Sequence, residues 1–264
     1  MCVIMLRIDN IRRLLGSFIP VAPVFNHHVH REYLEIEILD FISRHKYSDR
    51  LILVGETALR LVYNNNRFAE KLEFHFKSLT KKEFNELADD ILRYLEGNGL
   101  NVVSDNLDNT SLNLYGRDII FPQLRDDGED IHIRVEAHKK GVDYREEYQF
   151  ISRAGFIFPV CLPPIKILCA MKVAAFINEE RGADLYDLTF LLGLARPDSN
   201  YLRQKLGMTS EFEMWTAIEK TLSNVDIELK IKDCSHTLLY GEYAARLLQF
   251  KEMVSLELER IKEE

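Results

Sequence analysis

The sequence has little of what assigns a chain quickly to a class. Its four cysteines are scattered and form no Cys-x-x-Cys pair, which excludes a zinc ribbon and a redox dithiol. No apolar run approaches the roughly 20 residues that a membrane-spanning helix needs. A net charge of −8 leaves no excess of positive charge, which argues against a protein that coats nucleic acid. We therefore expect a soluble, cytoplasmic protein.

The beginning of the chain is apolar but lacks the pattern of a signal peptide. Charged residues interrupt it at Arg7, Asp9, Arg12 and Arg13, and no small-residue cleavage site follows. We interpret this stretch as an amphipathic helix. With 264 residues and 47% hydrophobic content, the chain can bury the core of one large domain or of two modest ones.

Residues 51–76 predict a strand, a turn, a helix and a second strand in close succession. LILVG is a short apolar run that ends in glycine, and ETALRLVY consists of good helix formers. In RFAEKLEFHF the polar residues Lys71, Glu73 and His75 alternate with apolar ones. This period is typical of a half-buried strand, whose polar face is either simply solvated or the wall of a site.

The remaining pattern predicts an α+β fold with a boundary at the double proline Pro163-Pro164. Before it, Thr80 and Glu83 form a capping box at the start of an amphipathic helix, and short strands follow from residue 101 to 161. After it the chain is almost entirely helical. We therefore predict a mixed β-sheet domain flanked by helices over residues 1–162 and a helical domain over residues 163–264.

Two features of the first domain suggest chemistry. The turn at Gly55 and Thr57, where a strand passes into a helix, could hold a phosphate, although it could equally be an ordinary turn. Carboxylates on the polar face of a strand can hold Mg²⁺ together with a triphosphate. Glu73 lies on such a face, and Glu136 in IHIRVEAH could join it or pair with Arg134.

The stretch LILVGETALRLVYNNNRFAEKLEFHF resembles the N-terminal motif of the AbiEii-type nucleotidyltransferase family. Its members are toxins of type IV toxin–antitoxin and abortive-infection systems, within the DNA polymerase β-like superfamily. The later stretch MKVAAFINEERGADLYDLTFLL is similar to the second signature of the family, in which a helical lysine and an arginine precede Asp-Leu-Tyr-Asp-Leu. The resemblance covers roughly residues 30–195.

The sequence departs from the family pattern at three positions. Glu56 stands where the family has the second glycine of its turn, and Lys71 and Glu73 match the two aspartates of Asp-x-Asp. A lysine cannot bind Mg²⁺, so two-metal catalysis by the family route is in question. Because Glu56 and Lys71 depart with opposite charges, we hypothesise an ion pair between their side chains.

The resemblance implies a set of site residues, an NTP as substrate or ligand, and Mg²⁺ as cofactor. The catalytic candidates are Lys71, Glu73 and Glu136, of which Glu73 and Glu136 would hold the metal. The nucleotide, bound in a cleft between the domains, would be contacted by Gly55, Thr57, Arg67, Lys172, Asp184 and Asp187. RNA, in particular tRNA, or a cognate antitoxin protein would be the partner.

Three functions remain open from the sequence. The protein is an active nucleotidyltransferase, a degenerate homologue that binds a nucleotide, RNA or protein, or an assembly module that uses its helical half. Asp184 could also serve only to start a helix and pair with Arg181. His27, His28 and His30 suggest a metal, but without supporting cysteines or carboxylates we interpret them as exposed loop residues.

Overall fold

The computed structural model describes residues 7–15, 22–107 and 113–263, which form two compact units. The first, here called the N-terminal unit, comprises residues up to 64 together with 68–141 and 146–162. The second, the C-terminal unit, comprises residues 65–67, 142–145 and those from 163 onward. No helix among the described residues is long and apolar enough to cross a membrane.

The N-terminal unit is built on a five-stranded mixed sheet. Its strands are β1 (Leu51–Val54), β2 (Lys71–Phe76), β3 (Val103–Asn106), β4 (Leu114–Phe121) and β5 (Ile131–Lys139). The spatial order is β1-β2-β5-β4-β3, and only the β2–β5 pair is parallel. A separate antiparallel ribbon consists of β6 (Glu147–Arg153) and β7 (Phe156–Leu162). Together with the helices, this sheet confirms the predicted α+β class.

The described residues of the same unit include four α-helices: α1 (Ile8–Leu15), α2 (Asn26–Arg44), α3 (Gly55–Leu61) and α4 (Lys81–Gly97). The predicted N-terminal helix is found as α1, while residues 1–6 and 16–20 of that segment lie outside the described residues. The capping box at α4 is confirmed, because Thr80 Oγ1 accepts from the Glu83 N–H and Glu83 accepts from the Thr80 N–H.

Strand β2 is half-buried, as its alternation predicts. Leu72, Phe74 and Phe76 are buried, whereas Lys71, Glu73 and His75 are half-buried on the opposite face. Strand β5 also points buried apolar residues into the core, at Ile133, Val135 and Ala137. The sheet therefore has an apolar core face and a polar face on its two central strands.

The C-terminal unit is helical. Its helices are α5 (Ile165–Glu179), α6 (Gly182–Leu192), α7 (Ser199–Leu206), α8 (Glu211–Asn224), α9 (Ile227–Ser235) and α10 (Arg246–Glu263). Helix α5 begins directly after Pro163-Pro164, since a proline restricts the residue before it to extended backbone. A Cβ on Gly182 would lie 2.1 Å from the carbonyl oxygen of Lys230, so glycine lets α6 approach α9 closely.

The interpretation of the early histidines as exposed loop residues is wrong. They lie in the first turns of α2, where His28 and His30 are buried. The His28 ring stacks on Phe68, with centroids 5.0 Å apart and planes 9° apart. No apolar period marks this stretch as a helix, and its burial depends on Phe68, which is distant in sequence.

Helix α2 also buries Glu35, whose Oε1 has no hydrogen-bond partner among the described residues. Burial raises the pKa of Glu35 well above its usual range, with the nearby Arg31 opposing the shift. The unfolded chain releases this proton near pH ~4.3, and the folded protein releases it at higher pH. Glu35 therefore lowers the free energy of unfolding as pH rises through that window.

We expect the free energy of unfolding of Glu35→Gln, measured relative to the parent protein, to be larger at pH 8 than at pH 5. Gln cannot ionise, so the variant lacks a slope of up to about 1.4 kcal/mol for each pH unit within the window. Urea unfolding at both pH values measures the difference, with the exposed Glu96→Gln as control. An effect of Glu35→Gln that is independent of pH would contradict this account.

Candidate functional site

The pairing of β2 with β5 brings polar residues from distant parts of the chain side by side. In the parallel register Lys71 lies opposite Arg134, Glu73 opposite Glu136, and His75 opposite His138. Neighbouring residues in register point to the same face of a sheet. Two carboxylates, at Glu73 and Glu136, are therefore adjacent on the polar face.

Four side chains meet there and are called the Lys–Glu–Glu–His cluster: Lys71, Glu73, Glu136 and His138. The Lys71 Nζ atom lies 2.9 Å from Glu136 Oε2 and 3.3 Å from Glu73 Oε1. The His138 Nε2 atom lies 3.5 Å from Glu136 Oε2 and 3.6 Å from Glu73 Oε1. The ammonium and the imidazole thus share the same two carboxylates.

The close contacts within the cluster stabilise the charged forms of Glu136 and Lys71. The His138 imidazole and the Lys71 ammonium lower the pKa of Glu136 to about 2, although partial burial acts in the opposite direction. Burial by itself disfavours the Lys71 ammonium, but Glu73 and Glu136 outweigh it and raise the pKa of Lys71. Near neutral pH, Glu136 is therefore a carboxylate and Lys71 an ammonium ion.

The absence of a side chain at Gly55 leaves space for the Glu73 carboxylate. Its φ of +68° lies in the left-handed region, and a Cβ at this position would lie 2.4 Å from Glu73 Oε2. Glycine is favoured here both by the backbone and by the space available. Two residues on, Thr57 is buried, and its Oγ1 donates to the Lys71 carbonyl oxygen over 2.7 Å. This hydrogen bond links the start of α3 to β2.

The hypothesised ion pair between the Glu56 and Lys71 side chains is wrong. Glu56 Oε1 accepts from the backbone N–H groups of Glu70 and Lys71, over 2.6 and 3.1 Å. The Lys71 ammonium instead contacts Glu73 and Glu136. The register of β2 directs the lysine along the polar face of the sheet, while Glu56 binds the backbone at the start of the strand.

Four of the predicted nucleotide-binding residues form a second, buried group in the C-terminal unit. Arg67 donates to both oxygens of Asp187, over 3.0 and 2.7 Å. The Lys172 Nζ atom lies 2.8 Å from Asp184 and 2.8 Å from Asp187. Asp184 also accepts from Arg181 Nε over 2.7 Å, the pairing proposed as its structural role. We call Arg67, Lys172, Asp184 and Asp187 the buried ion-pair cluster, beside which the Arg181 side chain is exposed.

These pairs outweigh the cost of burial. Burial alone would raise the pKa values of Asp184 and Asp187, but the neighbouring cations hold both below their usual range. The same carboxylates raise the pKa of Lys172 despite its desolvation. The cluster thus joins helices α5 and α6 to the segment at residues 65–67, which is far away in sequence.

The structure therefore places the predicted site residues in two groups. Gly55 and Thr57 accompany the catalytic candidates in the N-terminal unit, and the other nucleotide-binding candidates lie in the C-terminal unit. His138 is not among the site residues predicted from the sequence. Its position two residues after Glu136 on one strand was the available signal, because residues i and i+2 share a face.

The cluster has donors that suit one divalent cation. Glu73, Glu136 and His138 each offer a ligand atom within 4.8 Å of the others, and no further such group is found within the described ranges. The carboxylate oxygens are of the kind that Mg²⁺ takes. The Lys71 ammonium lies against the same oxygens, so a metal ion would have to displace it.

Solved structures that include nucleotidyltransferases share this mixed sheet flanked by helices. JHP933 from Helicobacter pylori matches with a TM-score of 0.53 and 18% identity, over 89% of this chain and 95% of that chain. MenT4, a nucleotidyltransferase toxin from Mycobacterium tuberculosis, matches with a TM-score of 0.55 and 13% identity, over 94% of this chain and 89% of that chain. At these identities the likeness concerns the fold alone.

The family is established by sequence. The family described as "Nucleotidyl transferase AbiEii toxin, Type IV TA system" matches residues 37–259. The chain belongs to this family, which confirms the resemblance inferred from the two motifs. No curated protein matches the chain in a sequence comparison.

We expect Gly55→Ala to lower the free energy of unfolding more than Gly128→Ala does. Both glycines have positive φ, but a Cβ at Gly128 would meet no atom within 4 Å. Gly128→Ala should cost about 1–2 kcal/mol for the left-handed backbone, and Gly55→Ala a further ~1–3 kcal/mol because Glu73 must move. Chemical denaturation measures both. Equal costs would contradict the close approach of Gly55 to Glu73.

Asp187→Asn should reduce the free energy of unfolding by about 3 kcal/mol at pH 7, because it leaves buried Arg67 and Lys172 without their shared carboxylate. Since the pKa of Asp187 is lowered in the folded protein, its contribution is present above the unfolded pKa and is lost as pH falls below about 4. Denaturation between pH 3 and 7 should show this loss. Glu179→Gln, which removes an exposed pair with Arg181, should cost under ~1 kcal/mol.

Proposed function

We propose that the protein binds a nucleoside triphosphate at the Lys–Glu–Glu–His cluster and transfers its nucleotide to a hydroxyl group of RNA or protein. The observation that carries the proposal is the convergence of Glu73 and Glu136, from two paired strands, on a single cation. Family membership and the nucleotidyltransferase fold support it. A cognate antitoxin is the protein partner that type IV toxin–antitoxin membership suggests.

In the proposed reaction, the acceptor oxygen attacks the α-phosphorus of the NTP. A new P–O bond forms to the acceptor, the bond from the α-phosphorus to the bridging oxygen breaks, and pyrophosphate leaves with the electron pair. The acceptor proton passes to water. Such a transfer depends mainly on position and charge, which the protein can supply without covalent chemistry.

The residues of the cluster have distinct tasks in this proposal. Glu73 and Glu136 would hold a divalent ion. When bound, that ion would stabilise the negative charge that develops on the phosphates. Lys71, displaced from the carboxylates, would place its ammonium on a phosphate oxygen. Its charge would then stand in for a second metal ion.

A second candidate function rests on the same lysine. The Lys71 Nζ atom lies within 3.3 Å of both carboxylates, where a metal would otherwise bind. If the ammonium stays there, the cluster is neutralised internally and holds no catalytic ion. The protein would then be a degenerate homologue that binds a nucleotide, RNA or an antitoxin without catalysis.

We expect the purified protein to transfer label from at least one α-labelled NTP to cellular RNA or protein. Each of the four NTPs would be incubated with Mg²⁺, Mn²⁺ or Zn²⁺ in separate reactions. Glu136→Gln should lower the rate by about 100-fold or more, because one buried charge is lost at the reacting centre. The exposed Glu129→Gln should leave the rate unchanged.

The position of the label would distinguish the acceptors. Label in RNA or in protein identifies the acceptor class, provided that Glu136→Gln removes it. Label that persists in this variant indicates a contaminating enzyme. Absence of label with every NTP and metal, in protein shown to be folded by circular dichroism, would reject transfer in favour of the binding function.

A further inference from the structure

One nitrogen of the His138 imidazole lacks a hydrogen-bond partner among the described residues. This atom, Nε2, is buried. The nearest carboxylate oxygens, on Glu136 and Glu73, lie at 3.5 and 3.6 Å, beyond the usual range of about 2.7–3.2 Å. A nitrogen that lies against two carboxylates, just beyond the usual hydrogen-bond distance from both, is placed as a metal ligand can be.

Metal ions differ in the separation that they impose on their ligand atoms. A tetrahedral Zn²⁺ ion with ligands at about 2.1 Å separates them by about 3.4 Å. An octahedral Mg²⁺ ion with ligands at about 2.05 Å separates adjacent ones by about 2.9 Å. The two separations from His138 Nε2, 3.5 and 3.6 Å, are nearer to the tetrahedral value than to the octahedral one.

We propose that Glu73, Glu136 and His138 form a tetrahedral site for a zinc-like divalent transition ion, in preference to Mg²⁺. Imidazole nitrogen is a favoured ligand of such ions, whereas Mg²⁺ takes oxygen almost exclusively. Three protein ligands leave a fourth position open, as in catalytic zinc sites. The inference deepens the proposed function, because it names the ion of the same site, but it is tested without a nucleotide.

The proposal gives Lys71 a second role, as a competing cation within the site. Its ammonium lies against the two carboxylate oxygens that the metal needs. The side chain is partly exposed, at 28%, so its flexible stem can swing outward when an ion enters. Lys71 therefore sets the affinity of the site, and removing its charge strengthens metal binding.

The experiment titrates the full chain with Co²⁺, Zn²⁺ and Mg²⁺ at constant pH. Co²⁺ serves as the spectroscopic probe, since tetrahedral coordination gives a much stronger visible absorption than octahedral coordination. We expect one strongly absorbing Co²⁺ site per chain, displaced by equimolar Zn²⁺ and resistant to a large excess of Mg²⁺. If the parent protein shows only weak octahedral Co²⁺ absorption, the proposal is overturned. Displacement of Co²⁺ by Mg²⁺ as readily as by Zn²⁺ would overturn it too.

Matched variants assign the site to its residues. His138→Gln should lower Co²⁺ affinity by about 100-fold or more, and His132→Gln, on the same face of β5 about 20 Å away, should not change it. Lys71→Met should raise Co²⁺ affinity by about tenfold, whereas Lys77→Met should have no effect. Unchanged affinity in His138→Gln would mean that the metal binds elsewhere, which contradicts the proposal.

The two proposals fail in distinguishable ways. A tetrahedral Co²⁺ site that requires His138, in a protein that transfers no nucleotide, keeps the metal site and rejects the transfer. Transfer that depends on Glu136 and is supported only by Mg²⁺, with no tetrahedral site, keeps the transfer and rejects the zinc-like ion.

Discussion

The parallel pairing of β2 with β5 is the constraint on which the rest of the candidate site depends. Glu73 and Glu136 are 63 positions apart in the sequence, and this register places them opposite each other on one face. A slip of one residue would turn the polar face of either strand into the core. The buried residues of both strands prevent such a slip, so the packing that stabilises the fold also positions the carboxylates.

Once the carboxylates are adjacent, the structure must neutralise them. Lys71 and His138 come from the same two strands and lie against the same oxygens. Lys71 therefore supplies a cation at the two carboxylates, and a metal ion bound there would have to displace it. In the proposed metal site, binding of the ion and movement of Lys71 would be a single exchange of cations.

The buried ion-pair cluster shows a different use of charge. Arg67 and Lys172 share Asp187, and both oxygens of that carboxylate are paired. A buried charge without its partner is strongly destabilising. Removal of one member of the cluster therefore lowers the free energy of unfolding, because the opposite charges that remain are buried and unpaired. The residues of the second family signature thus have a structural role in the C-terminal unit whether or not they contact a nucleotide.

The sequence by itself determined the fold class, the half-buried alternation of β2, the capping box at Thr80 and the family, because these follow from local periodicity and short motifs. Only the tertiary structure decided the partners of the charged side chains. Lys71 binds Glu136 and not Glu56, His138 joins the carboxylates, and His28 is buried under Phe68. Such contacts depend on strand register and on distant packing, and a charged side chain pairs with whatever the fold brings within reach.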